Sequence, residues 1–219
     1  MAEGVRFQPT LRGQFSGDVD TRYLACGCPC RRVNRYPEAG YGLRVGPSGG
    51  GSLGDVCALG TDDRSPFHED ALSEPTLAAV ESRLGVRLPR TYVAMARTHN
   101  GGLLARTAFY TTSPTTWAPD HIAVTGILAI GDTAPYSLCG AFGQEHWLRE
   151  WGYPSIGVYF ADTPSAGHDL VALDYRECGP DGEPSVVHVD QEAGYAVTHL
   201  APNFVAFLTG LVGEHGYDS

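Results

Sequence analysis

The chain has 219 residues, of which 42% are apolar and 18% charged, with a formal charge of −10; these are values of a folded globular protein. The length suffices for one domain, or one domain and an extension, around a core that needs no staples. Every basic residue is arginine, and the missing lysine excludes both a phosphate-binding P-loop and Schiff-base chemistry, although residues 46–54 are glycine-rich.

The charge is unevenly placed. Residues 1–70 hold eight arginines against nine acids, whereas residues 107–219 hold only Arg149 and Arg176 against fourteen acids. Such an acidic body repels phosphate backbones and attracts basic proteins, which makes nucleic acid a poor ligand. No run approaches the roughly 18 apolar residues of a spanning helix, and the start lacks a basic-then-apolar leader pattern. The expectation is a cytoplasmic protein with no membrane partner, whose six cysteines are reduced.

In chain order, residues 1–70 show no sustained period and carry twelve glycines and the Cys26-Gly27-Cys28-Pro29-Cys30 run. They read as an irregular extension, in which residues 41–45 are a short extended piece. Order begins at Ser73, a helix cap before Glu74 and Pro75; Leu77, Val80 and Leu84 follow at helical spacing, and Gly85 supplies the stop. Pro89 opens a second helix through Tyr92, Val93 and Ala96, ending at Asn100-Gly101-Gly102.

Strands are expected at residues 103–111, 122–130, 155–161, 168–175, 185–190 and 195–200. Their short connections favour an antiparallel meander, because parallel crossovers need about a dozen residues. A helix at 142–151 interrupts it. A last helix from Pro202 places Phe204, Phe207, Leu208 and Leu211 on one face. The fold class is α+β: a central, largely antiparallel sheet of about six strands with helices at both ends, spanning 71–213 before a short tail at 214–219.

Particular residues then say more than periodicity. Glu81, Leu84-Gly85, Leu88-Pro89, Tyr92 and Asn100-Gly101-Gly102 resemble the opening signature of the SUKH superfamily, E-x-x-L-G-x-x-L-P-x-x-Y followed by N-G-G. Ile127 to Asp132, Gly167-His168-Asp169, Ala172 to Tyr175, Gly182-Glu183-Pro184, Val187 to Asp190, and Leu200-Ala201 before Phe204 follow in the family's order. The resemblance covers roughly 72–212. It implies a protein-binding role: a bacterial immunity protein that neutralises a toxin domain, often a nuclease or deaminase, or a regulator like the family's fungal cell-wall assembly branch. No catalytic residue, metal ligand or cofactor is implied.

Other constellations fit structure better than chemistry. Cys26, Cys28 and Cys30 alternate, so extended-chain geometry points neighbouring thiolates apart and opposes a zinc site completed by Cys57 or His68. His168, Asp169, Asp174, His188, Asp190 and His199 suit a metal by type, and neighbouring strands could gather His188, Asp190 and His199. No motif fixes them, and His188 and Asp190 read as strand-end residues that satisfy turns. Ser137-Leu138-Cys139-Gly140 lacks a nucleophile elbow, and Cys139 reads as a small buried residue. Trp147 and Trp151 stand four apart, as a core stripe requires, leaving Trp117 as the surface aromatic. The expected contact surface for a basic toxin comprises Trp117, Asp132, Asp162, Asp169, Glu183 and Glu192.

Overall fold

Ser73 and Gly85 delimit the first helix for the reasons their residue types dictate. In a computed structural model that describes residues 64–213, α1 (Glu74–Leu84) is capped by the Ser73 hydroxyl, which accepts from Thr76 N at 3.2 Å, and stops at Gly85 in the left-handed region. The second helix, α2 (Arg90–Thr98), starts directly after Pro89. All described residues fall in one compact unit.

Among the described residues, a six-stranded antiparallel sheet runs in the order β1 (Gly102–Leu103), β4 (Gly126–Ile127), β5 (Gly157–Asp162), β6 (Asp169–Asp174), β7 (Ser185–Asp190) and β8 (Ala196–Ala201). A separate ribbon pairs β2 (Ala108–Tyr110) with β3 (His121–Ala123). Helix α3 (Gln144–Arg149) precedes β5, and α4 (Phe204–Gly210) is the last helix among the described residues, with Asn203 Oδ1 accepting from Ala206 N at 2.9 Å. The α+β architecture is thus as expected. Two expected strands are each divided: 103–111 becomes β1 and β2, and 122–130 becomes β3 and β4. In the first the chain leaves the main sheet for the ribbon, and in the second it returns from the ribbon to the main sheet.

Alternate residues of the central strands feed two cores. Val158, Phe160, Val171, Leu173 and Val186 meet α1, α2 and α4 through Val80, Tyr92, Phe204 and Phe207. Tyr159, Leu170, Ala172, Val187 and Val189 meet Trp147, Tyr153 and Ile156 on the other face. Burial on both faces makes the middle of β6, Leu170 to Leu173, a continuous apolar run, and leaves Val186 to Val189 of β7 apolar on both faces except at His188. Each large side chain removed from water contributes roughly 1.5–3 kcal/mol, so the stacked Tyr92–Phe204 pair, 4.8 Å between centroids, sits where burial stabilises most.

The signature residues hold the helices to the sheet. The Glu81 carboxylate accepts from Leu88 N at 2.9 Å and pairs with Arg87 at 2.7 Å, bracing the turn between α1 and α2. Tyr92 donates its hydroxyl to the Leu128 carbonyl. Asn100 donates to Asp70 O and Ile130 O at 3.1 Å and accepts from Ile130 N at 2.8 Å. Gly101 has φ +79°, and a Cβ there would stand 2.1 Å from the Phe67 carbonyl oxygen. Phe67 and Glu69, expected in the extension, are buried in this body. Residues 46–54, 41–45 and Cys26, Cys28, Cys30 and Cys57 lie outside the described residues.

Candidate functional site

Sheet register decides which candidate residues can share a surface. The pairs Gly126↔Asp162, Asp169↔Asp190 and Asp190↔Ala196 bring the end of β5, the start of β6, the end of β7 and the start of β8 together at one end of the sheet. Asp174↔Ser185 and Val186↔Ala201 define the opposite end. Asp162, Asp169 and Glu192 therefore belong to the first end, and Glu183, two residues before Ser185, belongs to the second. Asp132 stands apart, exposed in the turn after Ile130, where Glu69 Oε1 accepts from Thr133 N and Ala134 N at 2.8 and 2.9 Å. The six residues are not one surface.

Trp117 joins the first end through its neighbour. Asp190 is 2% exposed, and its Oδ2 accepts from Thr116 N at 2.9 Å and Thr116 Oγ1 at 2.8 Å, while Oδ1 accepts from Ala193 N at 3.1 Å. One carboxylate thus pins the β2–β3 loop and the β7–β8 turn to each other. Trp117 is half-buried on that loop, Tyr110 is exposed at the end of β2, and Glu192 is exposed on the turn. Such anchoring holds the loop and the turn in one arrangement without help from any other molecule.

Beneath this end lies a polar cluster sealed from water. His188, expected at a strand end, is fully buried inside β7 and bonds through Nε2 to Asp169 Oδ2 at 2.7 Å. Thr163 Oγ1 lies 2.7 Å from Asp169 Oδ1, and Asp169 N donates to Ser165 Oγ at 2.9 Å. Burial alone raises the Asp169 carboxyl, but hydrogen bonds from His188, Ser165 and Thr163 outweigh it and hold the group below its ordinary value. Asp169 is therefore support for the strand end and is too buried to touch a partner, a correction to its expected place on the surface.

The same register separates the metal-type residues. His188 faces Thr198, while His199 faces Val187, so the two imidazoles emerge on opposite faces of the sheet. Among the described residues no group of three His, Cys, Asp or Glu side chains is placed to hold a metal ion. Asp190 does satisfy a turn, as expected. Cys139 is buried, and burial raises its thiol above the ordinary value.

Asp162 is partly buried on the face opposite His188, beside Tyr136, Phe142, Trp147 and Leu170. This apolar nest pushes its carboxyl up to about 7, against the Thr163 amide that lowers it and with the Asp169 charge adding to the rise. Trp147 is a core residue, as its spacing implies, and donates from Nε1 to Phe142 O at 2.8 Å.

The opposite end carries a feature not legible from the strand pattern: a cleft of about 620 Å³ between α1, α2 and the β6–β7 loop. Leu77, Leu88 and Val93 form its apolar lining, and Arg90, Asp181 and Glu183 are among its charged residues. Its one signal in the sequence is the run Arg87-Leu88-Pro89-Arg90, which places basic and apolar side chains around a helix start. Elsewhere the acidic bias persists: Arg149 pairs with Glu145 at 2.8 Å and Arg176 with Asp174 at 2.6 Å, so both arginines after residue 107 are already engaged.

Among the described residues no helix is long and apolar enough to cross a membrane. No curated protein matches the chain. The family model described as SMI1 / KNR4 family (SUKH-1) matches residues 71–210, which span every helix and strand above. The chain belongs to the SMI1 / KNR4 family (SUKH-1).

Proposed function

We propose that this protein is a cytoplasmic bacterial immunity protein that binds a cognate toxin domain and covers its substrate cleft, performing no catalysis of its own. Family membership supports a role in binding other proteins. The observation that carries the choice of a basic partner is the strand end bearing Trp117 and Glu192, in a half of the chain whose two arginines are consumed by ion pairs. A nuclease or deaminase that holds nucleic acid presents the complementary positive cleft, and neutralisation then needs only occlusion. An interface of about 1,200–2,000 Å² would extend well beyond the named residues.

Asp132 and Glu183 stand elsewhere, and Asp162 shares the sheet end but is partly buried in an apolar nest, which favours a contact centred on Trp117 and Glu192. The experiment is affinity purification of the tagged protein from its native cells at high salt, with mass spectrometry of what is retained. Retention of one toxin-domain protein is the expected result. Several weak partners would favour a regulatory scaffold of the same family, and stoichiometric metal with loss of function in His188→Ala would favour an enzyme.

A further inference from the structure

We propose that the free edge of β8 takes a β-strand from a basic partner protein by strand addition, a proposal that rests on the protein-binding reading above. The two edges of the sheet differ in kind. The β1 edge is two residues long, whereas β8 is six residues long and, among the described residues, has a neighbouring strand on one side only.

Edge strands normally carry devices that stop a foreign strand from pairing: shortness, charge, proline or a bulge. Strand β8, Ala196-Val197-Thr198-His199-Leu200-Ala201, contains no acid, arginine or proline, and Val197 is exposed at 38%. The one irregularity, between Val186 and Val187, lies at its far end. Residues 196–199 therefore keep regular register against Asp190, Val189, His188 and Val187, and among the described residues no strand pairs with their outward N–H and C=O groups, which offer a template.

The template is held rigid at its start. Asp190 ties the preceding turn, and Tyr195, at φ +63°, donates its hydroxyl to Trp151 O and packs its ring on Tyr153. Charge then selects the occupant. Exposed Glu192 stands four residues before β8, and a second copy would bring another chain of charge −10 against an acidic half with no spare arginine. A strand with an apolar residue beside Val197 and a cation near Glu192 meets no such repulsion.

The test uses the full chain and two synthetic peptides of alternating Val and Thr, one ending in Arg and the other in Glu, with amide hydrogen exchange followed residue by residue. The Arg-ended peptide is expected to slow exchange across residues 196–199 by about tenfold or more, the Glu-ended one less. Val197→Asp should abolish the effect while leaving β6 and β7 amides unchanged, and Glu192→Arg should reverse the peptide preference. Absence of slowing overturns the proposal. So does protection before peptide is added, which would mean that the chain covers its own edge, and so does protection that grows with protein concentration, which would mean a second copy. No toxin enters this readout, so its failure and a failure of the neutralisation reading are distinguishable.

Discussion

His188 donates from Nε2 to the Asp169 carboxylate at 2.7 Å, and both side chains are closed to water between adjacent strands. Removing one partner of a buried pair leaves the other desolvated and unmatched. Asp169→Ala is expected to cost about 3–5 kcal/mol in urea unfolding, and Asp169→Asn, which keeps an acceptor for Nε2, about 1–2 kcal/mol. Because the folded Asp169 value is depressed, its contribution is present above the unfolded carboxyl value of about 4 and is lost as pH falls through the folded value. The gap between wild type and Asp169→Asn should therefore narrow in acid.

Asp162 runs the opposite way. Its folded carboxyl, pushed up to about 7, holds a proton that the unfolded chain has already released above about pH 4. Stability is expected to fall as pH rises from about 4 to 7, and Asp162→Asn should remove that slope. Part of the side chain reaches water, so the gain of Asp162→Asn over wild type at pH 8 is set at about 1–2 kcal/mol, vanishing near pH 4. Thermal unfolding across this pH range checks it; a flat difference between the two proteins contradicts it.

Asn100 joins three chain segments with one amide, bonding Asp70 O, Ile130 O and Ile130 N. Asn100→Ala leaves the Ile130 N–H and carbonyl buried without this partner, and a loss of about 2–4 kcal/mol is expected. Tyr92→Phe strands only the Leu128 carbonyl and should cost about 1–2 kcal/mol with the ring stacking kept. Urea midpoints at constant slope would report both.

What the sequence made legible follows from local chemistry. Ser73, Gly85 and Pro89 act within a turn of their own position, so the limits of α1 and α2 could be read from residue type, whereas the last helix, expected from Pro202, starts at Phe204 with Asn203 as its cap. The signature residues were likewise visible, but not their work: that Asn100 reaches Ile130 is a contact thirty residues distant. The division of residues 103–111 and 122–130 was hidden because a bend from sheet to ribbon leaves the apolar pattern unbroken. His188 was misplaced for a related reason, since a buried imidazole in an apolar strand resembles a turn residue until its cross-strand partner Asp169 is known. The placement of the acidic residues expected to share one surface was least legible, because Asp162, Asp169 and Glu183 differ in face, burial and sheet end, none of which an acidic composition encodes.

Trp117 and Glu192 should respond differently in binding. Trp117→Ala is expected to weaken a toxin complex by about 2 kcal/mol or more, chiefly through faster dissociation, as a buried aromatic anchor does. Glu192→Arg should slow association, with an effect that shrinks as salt screens it. Surface plasmon resonance at two ionic strengths separates the two.

Neutralisation by occlusion is tested most directly by titrating the purified toxin domain retained in affinity purification with the full chain while following toxin activity. Activity that falls in proportion to added protein and is lost at one equivalent is the predicted result, as expected of a tight complex that covers the cleft. Undiminished toxin activity at saturating protein, or inhibition complete far below one equivalent as an enzyme would give, would contradict it.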